Sequence, residues 1–284
     1  MLADADVAAW NRPGRAALGA GDGVAGACQD GGAGIHHFSS SWPIPADGVG
    51  PAGARVIADH ARLRLTRRGS VTGPAPDVEA VWAPLAVDGL RAREERWIQP
   101  LLVAPSPPGG LVEPVLRRRP RLGWAADGLH AAGPAEEELV LPASVAMFSG
   151  ELGYDPTAAG GSYARHVAWL IAAGRTYVLL DDGEGRPAQP GGPARVAFKT
   201  DVGAIWESPT GVVAQLTGVW TRDDLRGRGI GTAALAAVVD AVRRDHVRAG
   251  GVVSLYVNDF NTPAIRLYER LGFREVGSLS TIHY

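Results

Sequence analysis

Residues 215 to 232 read Gln-Leu-Thr-Gly-Val-Trp-Thr-Arg-Asp-Asp-Leu-Arg-Gly-Arg-Gly-Ile-Gly-Thr. A strand is expected to end near Trp220, a turn to cross Arg222 to Leu225, and a glycine-rich loop to open a helix. Leu235, Val238, Val239 and Val242 recur at the i, i+3, i+4, i+7 spacing of one helical face. Gly250 and Gly251 end that helix. Glycine lets a backbone come close to a ligand. The start of a helix presents unpaired N–H groups and partial positive charge, which suits an anion. Arg226 and Arg228 add charge from the side. The segment is therefore expected to seat a pyrophosphate.

Two common phosphate loops are excluded. A P-loop needs a glycine followed by lysine and a hydroxyl residue, and the chain's only lysine is Lys199. A dinucleotide fingerprint needs G-x-G-x-x-G, whereas Gly227, Gly229 and Gly231 are followed by Thr232-Ala233-Ala234. The pattern that fits is R-x-x-G-x-G between a strand and a helix, running Arg226 to Gly231. Downstream come a strand at Val252 to Val257, then Asn258, and Asn261-Thr262-Pro263-Ala264 opening a helix. Tyr268 and Leu271-Gly272-Phe273 complete the series.

Together these residues resemble the acetyl-CoA site of the GNAT acyltransferases. The resemblance covers about residue 110 to Tyr284, with its motifs in 215 to 276. The whole chain is similar to a bacterial group in which an uncharacterised N-terminal domain precedes such a domain. Val196 to Gly203 and Asn258 to Asn261 carry that likeness. It implies an α/β (α+β) fold, with a mixed, mostly antiparallel central sheet flanked by helices, preceded by a smaller α/β N-terminal domain. The implied activity is direct transfer of an acetyl group from acetyl-CoA to an amine acceptor, without a metal. In the implied site, the backbone of Gly218, Val219 and Trp220 pairs with the pantetheine arm. Arg226, Gly227, Arg228, Gly229, Ile230, Gly231 and Thr232 hold the pyrophosphate, and Asn258 and Asn261 face the cofactor. Tyr268 is the implied general acid for the departing thiolate. A phenol near pKa ~10 and a thiol near ~8.5 make that transfer uphill by about 1.5 units. Asn261 also reads as a helix cap, a role Thr262 fills equally well ahead of Pro263.

The general base is not legible. Histone-type relatives place a glutamate eleven residues ahead of the loop, where this chain has Gln215, which takes no proton. A water chain, a backbone carbonyl, Asp201 or Glu207 remain as stand-ins, and an acceptor of low pKa lessens the need. An acyl-CoA-binding regulatory module without turnover is the alternative that Gln215 favours.

The remaining sequence sets the frame. Ala104 to Gly110 holds three prolines and two glycines, so domains are expected at 1–108 and 109–284. In the first, residues 11 to 50 hold ten glycines and show no periodicity. Their Cys28, His36 and His37 lack metal-ligand spacing. A short helix capped by Asp77 and a buried strand at 98 to 103 follow. In the second, a strand at Leu111 to Leu116 precedes helices at Glu136 to Phe148 and Tyr163 to Ala173. Strands at Thr176 to Leu180, Arg195 to Ile205 and Val212 to Trp220 come next, and two short strands end the chain.

The net charge is −2, which argues against nucleic acid or anionic membrane as partners. The run Arg117, Arg118, Arg119 and Arg121 reads as a solvated strand end or linker. No apolar stretch of ~20 residues and no secretory leader is visible, and Cys28 is the only cysteine. A cytoplasmic protein of a GC-rich bacterium is expected, an amine acceptor its partner, with a homodimer left open.

Overall fold

The computed structural model describes residues 69–158, 160–208, 211–247 and 250–284, strands at 15–19 and 41–45, and helical residues 55–56, 58–59 and 62. Cys28, His36 and His37, with most of the glycine-rich stretch, lie outside the described residues. One sheet organises the rest. Its strands are β1 (Arg15–Gly19), β2 (Ser41–Pro45), β3 (Ser70–Gly73), β4 (Glu94–Val103) and β5 (His130–Ala131). They continue as β6 (Thr176–Asp181), β7 (Arg195–Ser208), β8 (Gly211–Thr221), β9 (Val252–Tyr256) and β10 (Arg274–His283). The spatial order is β2-β1-β3-β10-β4-β9-β8-β7-β6-β5. Among the described residues only β8 and β9 pair in parallel. A parallel pair needs a crossover, and the helix after the Arg226 to Gly231 loop supplies it.

The helices are α1 (Ala75–Val87), α2 (Val112–Arg118), α3 (Gly123–Asp127), α4 (Glu137–Leu152), α5 (Ser162–Ala172), α6 (Ile230–Val242) and α7 (Thr262–Arg270). Side chains alternate faces along a strand, so neighbours such as Val178 and Leu179 enter different cores. Val178 packs with Val140, Phe148, Tyr163 and Val167 of α4 and α5. Leu179 packs with Leu235, Val238 and Val239 of α6, beside Leu216 and Leu255. The sheet is thus sandwiched between α4–α5 and α6 with its neighbours α2 and α3. Among the described residues no helix is long and apolar enough to cross a membrane.

Several sequence expectations change. Leu111 to Leu116 is not a strand but the region that opens α2. The Asp240 carboxylate accepts from the N–H groups of Leu111 (2.8 Å) and Val112 (3.2 Å). That cap satisfies amides a helix start leaves open. The arginine run follows as the end of α2 and the turn after it. Asp77 does not cap α1; Pro74 does, and Asp77 is buried in the first turn. The expected helix at Glu136 to Phe148 is α4, which runs on to Leu152 and holds Pro142 inside it. The two short C-terminal strands are one, β10, with irregularities near Val276 and Ser280 absorbing the change of register.

The sheet also runs through the expected boundary at 104 to 110. β4 lies between β9 and β10, so residues ahead of Ala104 join the last two strands of the chain. Leu101 and Val103 of β4 share a core with Val213, Val252 and Leu279, and Leu279 is fully buried. Leu279→Ala is expected to cost about 2–5 kcal/mol. Urea unfolding followed by circular dichroism checks this; an unmoved midpoint would show that β4, β9 and β10 share no common core.

Candidate active site

The site begins where β8 and β9 part. They pair in register from Val213↔Val252 to Leu216↔Leu255 and no further. Beyond Leu216, β8 stays with β7, through Thr217↔Asp201, Trp220↔Lys199 and Thr221↔Phe198. An irregularity falls between Thr217 and Trp220, where Gly218 takes a φ of +58°. That left-handed backbone is what calls for glycine; a Cβ there would also push aside the flexible Met147 side chain, whose sulfur lies 2.8 Å away. On the other side the chain leaving β9 follows β4. Val257 N–H donates to the Pro100 carbonyl (3.1 Å) and Asp259 N–H to that of Ile98 (3.3 Å). Held apart by β7 and β4, the two strands open a wedge, and the edge of Gly218, Val219 and Trp220 faces it.

The loop after β8 is braced from below. Arg222 donates from Nη1 and Nη2 to Asp181 (2.6 and 2.8 Å), a fully buried carboxylate, and from Nε to Asp224 (2.7 Å). These bonds push the Arg222 pKa well above its usual value, so the strut is permanently charged. Gly229 caps α6 with φ +87°. Thr232 and Ala233 donate to its carbonyl (3.1 and 3.2 Å), closing the first turn. The amides ahead of them project from the helix end. Thr232 therefore offers a hydroxyl rather than a free amide, and Ile230, 3% exposed, offers only its backbone. Gly231 serves packing: a Cβ there would meet Thr221 Oγ1 at 2.7 Å. Arg226 is folded back on Asp223 (2.7 Å) and the Thr221 carbonyl (3.0 Å), while Arg228 is exposed.

Wedge and loop open into a cleft of about 1360 Å³, lined by Gly218, Val219, Trp220, Arg226, Asn258, Asn261 and Tyr268 among others. Single-ligand pockets run ~300–1,000 Å³, so the cleft has room for two substrates. Gly227 to Thr232 are not among its lining residues; Arg226, at the start of the loop, is. Tyr268, 5% exposed, packs against Phe273 with ring centroids 5.5 Å apart. Burial, and secondarily the charge of Glu151, raise its pKa well above that of a free phenol. Proton donation is therefore more uphill than the reference values imply. Asn261 caps α7, its Oδ1 accepting from Ala264 N–H (3.3 Å). Asn258 is almost buried, its Oδ1 accepting from Gln99 (2.7 Å) and Arg96 (3.4 Å).

Of the stand-in bases, Glu207 is exposed near the far end of β7, outside the cleft. Asp201 lines the cleft, but its oxygens take Lys199 Nζ (2.6 Å) and Thr176 Oγ1 (2.8 Å). Gln215 is 1% exposed and outside the lining, and neither of its amide atoms has a partner among the described residues. Sequence reasoning missed Arg96, Gln99 and Glu151, which all line the cleft. Arg96 and Gln99 precede the expected domain boundary, and Glu151 has the sequence context of any glutamate at a helix end. No group of three or more potential metal ligands occurs among the described residues.

Residues 160–273 match the Acetyltransferase (GNAT) family model, and residues 25–122 match a domain of unknown function, DUF4081. An uncharacterised N-acetyltransferase of Methanocaldococcus jannaschii is 38% identical over 63 residues, 22% of this chain. The match spans only 26% of that relative's length. Among solved structures, a GNAT-family protein of Novosphingobium aromaticivorans aligns with TM-score 0.48 at 17% identity, over 85% of this chain and 82% of that one. A GNAT-family acetyltransferase of Colwellia psychrerythraea gives 0.46 at 9% identity, over 86% and 76%. Residues 160–273, which hold the wedge, the arginine–glycine loop and Tyr268, form an acetyltransferase domain of the GNAT family.

Proposed function

We propose that the chain transfers an acetyl group from acetyl-CoA to an amine by direct attack on the thioester. The observation that carries this reading is the wedge between β8 and β9, opening beside the Gly229 cap of α6. The unpaired β8 edge at Gly218 to Trp220 suits the amides of a pantetheine arm. The helix start and Arg226 and Arg228 suit a diphosphate. Tyr268 lines the same cleft, so its hydroxyl is the proton donor for the sulfur. Its raised pKa keeps the phenol protonated at neutral pH, and transfer accompanies C–S cleavage rather than preceding it. We place the acceptor in the remainder of the cleft and the protein in a bacterial cytoplasm.

A second reading, an acyl-CoA-binding regulatory module, is favoured by the idle amide of Gln215. The two readings part on turnover. Calorimetry should detect acetyl-CoA binding, and CoA release with an amine panel should fall about 100-fold in Tyr268→Phe with cofactor affinity kept. Binding without turnover selects the regulatory module; no binding removes both. Gly218→Val should weaken acetyl-CoA affinity by at least ten-fold and lower stability by about 1–2 kcal/mol, because its left-handed backbone rejects a branched residue. Undiminished affinity in that variant would detach the cofactor from the β8 edge.

A further inference from the structure

We propose that Glu151, held by Arg96 from β4, is the base that takes the proton from the acceptor ammonium; this rests on the acetyltransferase reading. Four carboxylates line the cleft: Glu151, Asp155, Asp201 and Asp223. Each of the four has a partner, and that of Glu151, Arg96, also reaches Asn258 at the wedge. Asp201 is neutralised by Lys199 and bonded to Thr176. Asp223 pairs with Arg226 out in solvent. Asp155 accepts from the hydroxyl and the N–H of Thr157 on one oxygen (2.6 and 2.8 Å), which weakens it as a base.

Glu151 differs. Its Oε1 accepts from Arg96 Nη1 (2.8 Å), and no hydrogen bond reaches its second oxygen among the described residues. Its side chain is 49% exposed, so an acceptor can approach it. Arg96 is 7% exposed and fixed by Glu94, which takes its Nε (2.8 Å) and Nη2 (3.1 Å). The same Nη1 lies 3.4 Å from Asn258 Oδ1 at the rim of the wedge. Asn258 is held in turn by Gln99 (2.7 Å), and Gln99 by the Thr281 hydroxyl (2.6 Å). One arginine therefore ties the carboxylate to the mouth of the wedge, where the thioester is expected. The charged and titratable groups facing it are Arg96 of β4, Tyr163 of α5, Tyr256 at the end of β9 and Tyr268 of α7. The Glu151 charge contributes to raising all three hydroxyls, after burial.

The step balances simply. The ammonium gives one proton to the Glu151 carboxylate, leaving a free amine. The amine lone pair attacks the thioester carbonyl, an N–C bond forms and the C–S bond breaks. Tyr268 protonates the leaving sulfur and regains a proton from the second N–H through solvent, and the Glu151 carboxyl releases its proton to water. The products are amide, CoA thiol and one proton.

The test compares benzylamine, which is protonated at neutral pH, with aniline, which is already neutral. CoA release by the full-length protein is followed at pH 7. In Glu151→Gln, kcat/KM for benzylamine should fall about 100-fold and that for aniline less than about 3-fold, with acetyl-CoA affinity unchanged. The benzylamine deficit should shrink as pH rises toward the amine's own pKa, near ~10. Glu151→Asp, which keeps a carboxylate, should recover part of the loss. Equal losses with both amines, no loss at all, or cofactor binding without turnover of either amine by the unaltered protein would overturn the assignment. Failure of the unaltered protein to bind acetyl-CoA would instead overturn the reading on which it rests.

Discussion

The site depends on two strands that must begin paired and end apart. β8 and β9 share hydrogen bonds as far as Leu216 and Leu255, and each then follows a different neighbour. β8 is retained by β7 across the Gly218 irregularity, while the chain leaving β9 is drawn to Pro100 and Ile98 of β4. An unpaired strand edge inside a sheet is costly, because buried main-chain polar groups need partners. A ligand that offers amide groups in an extended arm restores them. The wedge therefore specifies the shape of its occupant as well as the room for it.

This arrangement explains why β4, which precedes the expected domain boundary, belongs to the site's physics. β4 supplies the neighbour that pulls β9 aside, and it also carries Arg96 and Gln99, whose bonds fix Asn258. Leu101 on one face of β4 and Leu102 on the other enter separate cores. On the opposite flank, Arg222 and Asp181 brace the turn that delivers the loop to α6. A charge-assisted pair whose carboxylate is fully buried holds position better than an exposed one. The loop that opens α6 is thus steadied by groups behind it.

Much of this was legible in the sequence, for identifiable reasons. The loop at Arg226 to Gly231 and the helix after it announce themselves through glycine position and apolar spacing, both local properties. The three strands β6, β7 and β8 and the helix α5 follow from local pattern as well, and α7 from its Asn261-Thr262-Pro263-Ala264 opening. Leu111 to Leu116 misled because its first amides are capped by Asp240, a partner more than a hundred positions away. The free edge at Gly218 to Trp220 was expected only through family likeness; what enforces it, β4, pairs across a boundary that proline and glycine content had drawn. Glu151 was invisible, since its distinction is the buried arginine beside it and not its own sequence context. Gly231, expected as a phosphate ligand, lies at a close approach of helix and strand, which only the Thr221 side chain reveals.

The most direct measurement is a crystal structure of the protein with acetyl-CoA. The account predicts pantetheine amides bonded to the main chain of Gly218 to Trp220, the diphosphate against the amides of Gly227 to Gly231, and the thioester facing Tyr268 and Asn258. A cofactor bound elsewhere, with β8 and β9 unchanged and the wedge empty, would contradict it.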